Sequence, residues 1–179
     1  MGILYESLDE SVRACMLQEL EKDILDDNLY ISPRLTDTGV KIWPEILRDA
    51  FASHDDTFVA NALRSQGLLR SQEKRRRPNG GISMVNVPHT AADTLAEGEF
   101  NRYYARGVCL NVLDTSGTHV EVYRGKEVQK PRPESSALIG KRLSAQMLLD
   151  DLRSSPGVEP AMGLPPGPNS GLTIRRVEL

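Results

Sequence analysis

Four adjacent cations, Lys74-Arg75-Arg76-Arg77, are the residues whose type and spacing best suit a chemistry of binding. Such a run neutralises a few phosphates and gives salt-dependent, sequence-blind association with nucleic acid. No zinc-finger or RNP-type aromatic motif accompanies it, so the competing reading is an exposed, solvated loop. The residues that would carry catalysis are less well arranged. His89 and His119 are too far apart for a local metal spacing, and His54 beside Asp55-Asp56 matches no ligand pattern. Glu97 and Glu99 flank Gly98 on a helical stretch. Side chains at i and i+2 face different sides of a helix, so the two make a poor acid/base pair. Gly80-Gly81 lacks the Lys-Ser/Thr of a phosphate loop, and there is no nucleophile elbow. Cys15 and Cys109 form no paired spacing and read as reduced residues on helix faces, the pattern of an intracellular protein. The expectation is a protein that is not an enzyme and holds no cofactor or metal.

The elements that must position these residues are mainly helical. Ser7 and Glu10 suggest a capping box, followed by a stripe of Leu8, Val12, Cys15 or Met16, Leu20 and Ile24. The opposite face carries Asp9, Glu19, Asp23 and Asp26, which reads as a solvated surface. Pro44 fits the first turn of a second helix, anchored by the sole tryptophan, Trp43. Ser53 is placed as the cap of a third helix, with Gly67 as its stop. Residues 70–83 form a polar break, ending in Pro78-Asn79-Gly80-Gly81, that reads as a linker or loop. Thr90 starts the longest helix, with Ala96, Phe100, Tyr103, Gly107 and Leu110 on one face and Glu99, Arg102 and Arg106 as a salt-bridged set. Gly107 in mid-helix costs about 1 kcal/mol relative to Ala, which implies close approach of another backbone. Residues 118–123 alternate as a strand, and Ser144 caps a short helix holding Met147, Leu148, Leu149 and Leu152.

A net charge of −3 conceals an asymmetric chain. Residues 1–60 carry 13 acids and 5 bases (−8), residues 61–142 carry 14 bases and 8 acids (+6), and the remainder is −1. An acidic head and a basic middle can attract each other within one chain or between copies. No apolar run approaches membrane-spanning length. In the tail, nine of the sixteen residues from Pro156 to Gly171 are Pro or Gly, and no charge falls between Glu159 and Arg175. Disordered linkers are usually polar or charged. Val158, Met162, Leu164, Leu172 and Ile174 therefore read as apolar anchors of an assembly arm that lies on other protein. Residues 172–177 alternate as a strand that can pair with residues 118–123 of the same chain or be added to a neighbour's sheet.

Three stretches carry a resemblance: Ala96–Gly107 (AEGEFNRYYARG), Val120–Arg124 with Pro131–Ser135, and Gly163–Leu172 (GLPPGPNSGL). Together they resemble a family of uncharacterised proteins encoded among the head and connector genes of tailed bacteriophages and prophages. The likeness spans roughly residues 90–172. It implies a structural role in the virion, as a capsid accessory or head–tail connector subunit assembled in the bacterial host cytoplasm, and transfers no catalytic residue. The implied partners are copies of the chain itself, as a homo-oligomer, and other virion proteins, with no membrane.

The sequence thus predicts an α+β fold, mainly helical, with a small β-sheet and a long extended Pro/Gly-rich C-terminal arm. It divides into an acidic helical region (1–69), a basic linker or loop (70–88), a long helix, strand and short helix (89–155), and the arm (156–179). The leading function is assembly through repeated subunit contacts. The alternative is a nucleic-acid-binding accessory protein that uses Lys74, Arg75, Arg76 and Arg77 on DNA.

Overall fold

The fold is organised around one helix that is buried on nearly every side. In a computed structural model, which describes residues 2–131, 133–157, 162, 164 and 170–177, this helix is α4 (Ala91–Asp114). Against it pack α1 (Glu10–Leu25), α3 (Asp56–Ser65) and α6 (Ala145–Ser154), while α2 (Asp37–Ser53) closes the bundle over α1 and α3. Phe100, Tyr103, Tyr104, Val108 and Cys109 of α4 are all buried, together with Trp43, Leu47 and Phe51 of α2. A helix apolar on one stripe serves a surface, whereas one buried all round is a core element.

Gly107 shows why α1 and α4 can pack so closely. A Cβ there would lie 2.6 Å from Met16 Cγ and 3.0 Å from the Val12 carbonyl, so only glycine permits the approach that the sequence implied. The helix ends differ from expectation in detail. Asp9, not Ser7, caps α1 by accepting from the Val12 amide, and Ser7 Oγ instead accepts from the Arg176 amide. Thr36 caps α2, so Pro44 lies inside that helix rather than in its first turn. Asp55, not Ser53, caps α3, and Gly67 follows its end with a positive φ as expected. Ser144 caps α6 as read from the sequence.

Two small antiparallel sheets complete the architecture among the described residues. One is a hairpin of β1 (Gln72–Arg76) and β2 (Ile82–Asn86). The other has the order β4-β3-β5, with β3 (His119–Arg124) between β4 (Arg142–Ser144) and β5 (Leu172–Arg176). A single-turn helix, α5 (Pro133–Ser136), lies in the connection from β3 to β4.

The α+β, mainly helical reading holds, but the extended arm is corrected. Val122 faces Ile174 and Arg124 faces Leu172 in the β3–β5 register, so the C-terminal strand pairs within its own chain. Leu164, Leu172 and Ile174 are buried in the common core, and Met162 packs against it. Asn101 of α4 fixes the strand: its amide donates to the Leu172 carbonyl (2.9 Å) and its oxygen accepts from Thr173 Oγ1 (2.6 Å). Leu172, Thr173 and Ile174 are all buried, so both faces of this part of the strand are covered within the chain and need no neighbour's surface. Val158 lies outside the described residues.

Candidate interaction site

Three polar constellations deserve comparison: a buried ion cluster, a cleft and the hairpin. The buried cluster centres on Arg106. Its guanidinium pairs with Asp23 (2.5 Å) and Glu19 (2.7 Å), Arg153 reaches Glu19 at 2.5 Å, and Tyr103 donates to Asp23 Oδ2 at 2.6 Å. The Arg106 guanidinium also lies 4.8 Å from the Tyr103 ring centroid. The face of α1 read as solvated therefore has its two central acids inside, and Glu99, Arg102 and Arg106 are core residues rather than a surface ladder. Burial alone would push Glu19 up; hydrogen bonds from Arg153 and Arg106 overcome it and hold this carboxyl below its ordinary range. Glu99 has no such help at close range. Burial raises it to about 7 against the attraction of Arg102 and Arg106, and its Oε2 has no hydrogen-bond partner among the described residues. Within the cluster, Glu19, Asp23 and Arg106 are buried and bonded to one another and to Arg153 and Tyr103.

The cleft, of about 330 Å³, lies between the N-terminal segment, α3, α4 and the turn after β3. Asp56, Thr57, Thr90, Thr94, Glu97 and Lys126 line it. Lys126 is ion-paired with Glu97 and Arg64 with Asp93. Asp56 is buried, accepts from the Ile3 amide through Oδ2 (3.2 Å), and leaves Oδ1 without a partner among the described residues. Burial, then the nearby Glu97 and Asp55, raises its pKa. Glu97 faces this cleft while Glu99 faces the core, so the two glutamates diverge as their spacing required. His54 stacks on Phe58 (4.1 Å between centroids), and His119 is exposed beside Thr118. Cys15 and Cys109 are both free and buried, and burial raises both thiols.

The hairpin is where the structure puts Lys74, Arg75, Arg76 and Arg77. The segment read as a linker is a β-ribbon: Lys74 faces Met84, Arg75 faces Ser83 and Arg76 faces Ile82, and the Arg77 amide extends the ladder to the Gly81 carbonyl. Its two strands pack chiefly on each other. The root is firm. Leu35 bridges Leu69, the Arg70 amide donates to the Arg34 carbonyl, and Arg34 clamps Glu73 through two hydrogen bonds of 2.6 and 2.9 Å. Beyond the root, all four cations are exposed and none makes an ion pair among the described residues. Strand alternation places Lys74 and Arg76 on one face, with Met84 and Ile82, and Arg75 and Arg77 on the other. Ile82 and Met84 are 70% and 54% exposed.

The structure thus keeps the four predicted cations together and separates them from the arm residues Met162, Leu164, Leu172 and Ile174, which turn inward. The signal for the ribbon was present in the Asn79-Gly80 turn and in the alternation Ile82-Ser83-Met84-Val85. β1 hid it, because QEKRR contains no apolar residue. No family model, curated protein or solved structure matches this chain.

Proposed function

We propose that the chain is a non-enzymatic assembly protein, a capsid accessory or head–tail connector subunit of a tailed-phage particle, and that it engages its partners through the β1–β2 hairpin. The particle setting is what the sequence resemblance implies. The observation that supports assembly is the hairpin itself, a two-stranded ribbon with two large apolar side chains and four cations turned to solvent. Isolated hairpins are marginally stable, and exposed apolar ribbons invite association, so such an element is best accounted for by a partner that covers it. In the body, Arg106 and Arg153 match the buried Glu19 and Asp23 internally, whereas the hairpin cations have no ion-pair partner among the described residues. Repeating one modest contact around a symmetric particle gives avidity without a single strong site.

The test replaces residues 72–86 with a short Gly-Ser loop. Ser71 and Val87 are already joined by a 2.9 Å backbone hydrogen bond, so the closure keeps the Leu35–Leu69 bridge and the Arg70–Arg34 backbone bond and gives up only the Arg34–Glu73 clamp at the root. The variant is expected to unfold as cooperatively as the parent and to be missing from purified particles in which mass spectrometry finds the parent chain. Equal incorporation of the variant would refute the proposal.

A further inference from the structure

We propose that the hairpin is a DNA-contacting arm, occupied by the backbone and groove of duplex B-form DNA; this rests on the reading of the hairpin as the chain's interaction element. Two partners compete for a cationic ribbon, a phosphate backbone and an acidic protein surface. The acidic head of a second copy is the obvious protein candidate on charge alone. Eight of its thirteen acids, however, are ion-paired within the chain. Glu6, Asp9, Glu19, Glu21, Asp23 and Asp37 are each ion-paired with an arginine of the same chain, and Glu19 and Asp23 are buried. Four exposed acids, Glu10, Asp27, Asp49 and Asp55, are in no ion pair among the described residues, but they belong to different elements, so a contact that used more of the head's charge would break pairs. DNA requires no such exchange.

Charge placement also discriminates. A flat protein surface uses one face of a ribbon, but this one carries cations on both: Lys74 and Arg76 on one side, Arg75 and Arg77 on the other. A groove presents phosphates on both walls. Two strands about 4.8 Å apart fit the B-form major groove, about 12 Å wide, which admits a two-stranded ribbon. The major groove of A-form RNA is too deep and narrow for side-chain access, which selects DNA. Pro78 and the Asn79-Gly80-Gly81 turn keep the leading end slim and uncharged behind Arg77. Ile82 and Met84 supply apolar contact with sugars and base edges, and Arg34 on Glu73 holds the ribbon's base in place. No base-reading pattern accompanies the cations, so the association is expected to be indifferent to sequence.

The experiment is fluorescence anisotropy of the full chain with a short DNA duplex of arbitrary sequence, over a salt series. If the four cations each neutralise one phosphate, the logarithmic salt slope is about −3.6, a loss of about 150-fold between 50 and 200 mM salt. Changing Lys74, Arg75, Arg76 and Arg77 together to Ser is expected to abolish most of the binding. A variant with Arg75→Lys, Arg76→Lys and Arg77→Lys keeps the charge and is expected to keep the slope, which guards against a misfolded hairpin. Duplex RNA is expected to bind at least tenfold more weakly. Absent DNA binding, undiminished binding by the four-Ser variant, or equal binding of RNA would each overturn the assignment. If DNA binding is absent while the hairpin-replaced chain still drops out of particles, the DNA assignment falls and the assembly reading stands. If the hairpin proves dispensable in both assays, both fall.

Discussion

Arg106→Met is the most informative change to the body of the protein. It keeps an unbranched apolar stem but removes the guanidinium that lies over the Tyr103 ring and faces Glu19 and Asp23. The two acids are not equally exposed to the loss. Glu19 retains Arg153, through contacts at 3.0 and 2.5 Å, whereas among the described residues the Asp23 carboxylate keeps only the Tyr103 hydroxyl. Breaking a buried pair by deleting one partner costs about 3–5 kcal/mol, because the remaining charge stays desolvated. A chain of this size loses about 2–4 °C of melting temperature per kcal/mol, so the expected fall is about 6–20 °C. Adding Asp23→Asn removes the orphaned charge, and the double variant is expected to regain 1 kcal/mol or more relative to the sum of the single changes. Urea denaturation followed by circular dichroism measures all three. The lowered pKa of Glu19 fixes a sign as well. Its stabilisation is fully present above the ordinary carboxylate range and is lost as pH falls through the folded value, so the parent's advantage over Arg106→Met is expected to shrink in acid. A cost below about 1 kcal/mol, or one independent of pH down to strong acid, would refute the argument that this cluster is a buried, matched set.

Three other outcomes follow from the same packing. In α4, Gly98→Ala meets nothing within 4 Å and is expected to stabilise by about 1 kcal/mol, whereas Gly107→Ala collides with Met16 and the α1 backbone and is expected to destabilise by about 1–3 kcal/mol; thermal melts of the pair give opposite signs or the α1–α4 contact is wrong. Glu99→Gln removes a carboxyl held protonated by burial up to about pH 7; the parent's stability from it is present below the ordinary carboxylate pKa and lost as pH rises through about 7, so the variant is expected to be the more stable by an order of 3 kcal/mol at pH 8 and to match the parent near pH 4. Ile174→Ala, in the strand read at first as an assembly arm, is expected to cost about 2–5 kcal/mol in the isolated chain; a negligible loss would return that strand to an external role.

How far these features were visible in the sequence depended on whether the physics was local. The start of α4 at Thr90, the Ser144 cap, the β3 strand and the tight approach at Gly107 each leave a mark within a few residues, and each was legible. The burial of Glu19, Asp23 and Arg106 was not. Acids on one helix and an arginine some 80 residues later look like solvated charge until the fold sets them face to face. The tail misled for a related reason. Its Pro and Gly content and missing charges suit an arm lying on another chain as well as one lying on its own, and the deciding residue, Asn101, sits in a different element. The cations at 74–77 are adjacent in the sequence, yet only strand pairing divides them between two faces of a ribbon.

Site-resolved hydrogen exchange on residues 72–86, in the free chain and with duplex DNA, tests the central claim most directly, because it asks whether this ribbon lacks cover until a partner supplies it. The account expects the hairpin amides to exchange far faster than those of α4 in the free chain, and to slow at least tenfold with DNA while the body is unchanged. Slow exchange of the hairpin in the free chain, or protection that appears on the body and not on residues 72–86, would contradict it.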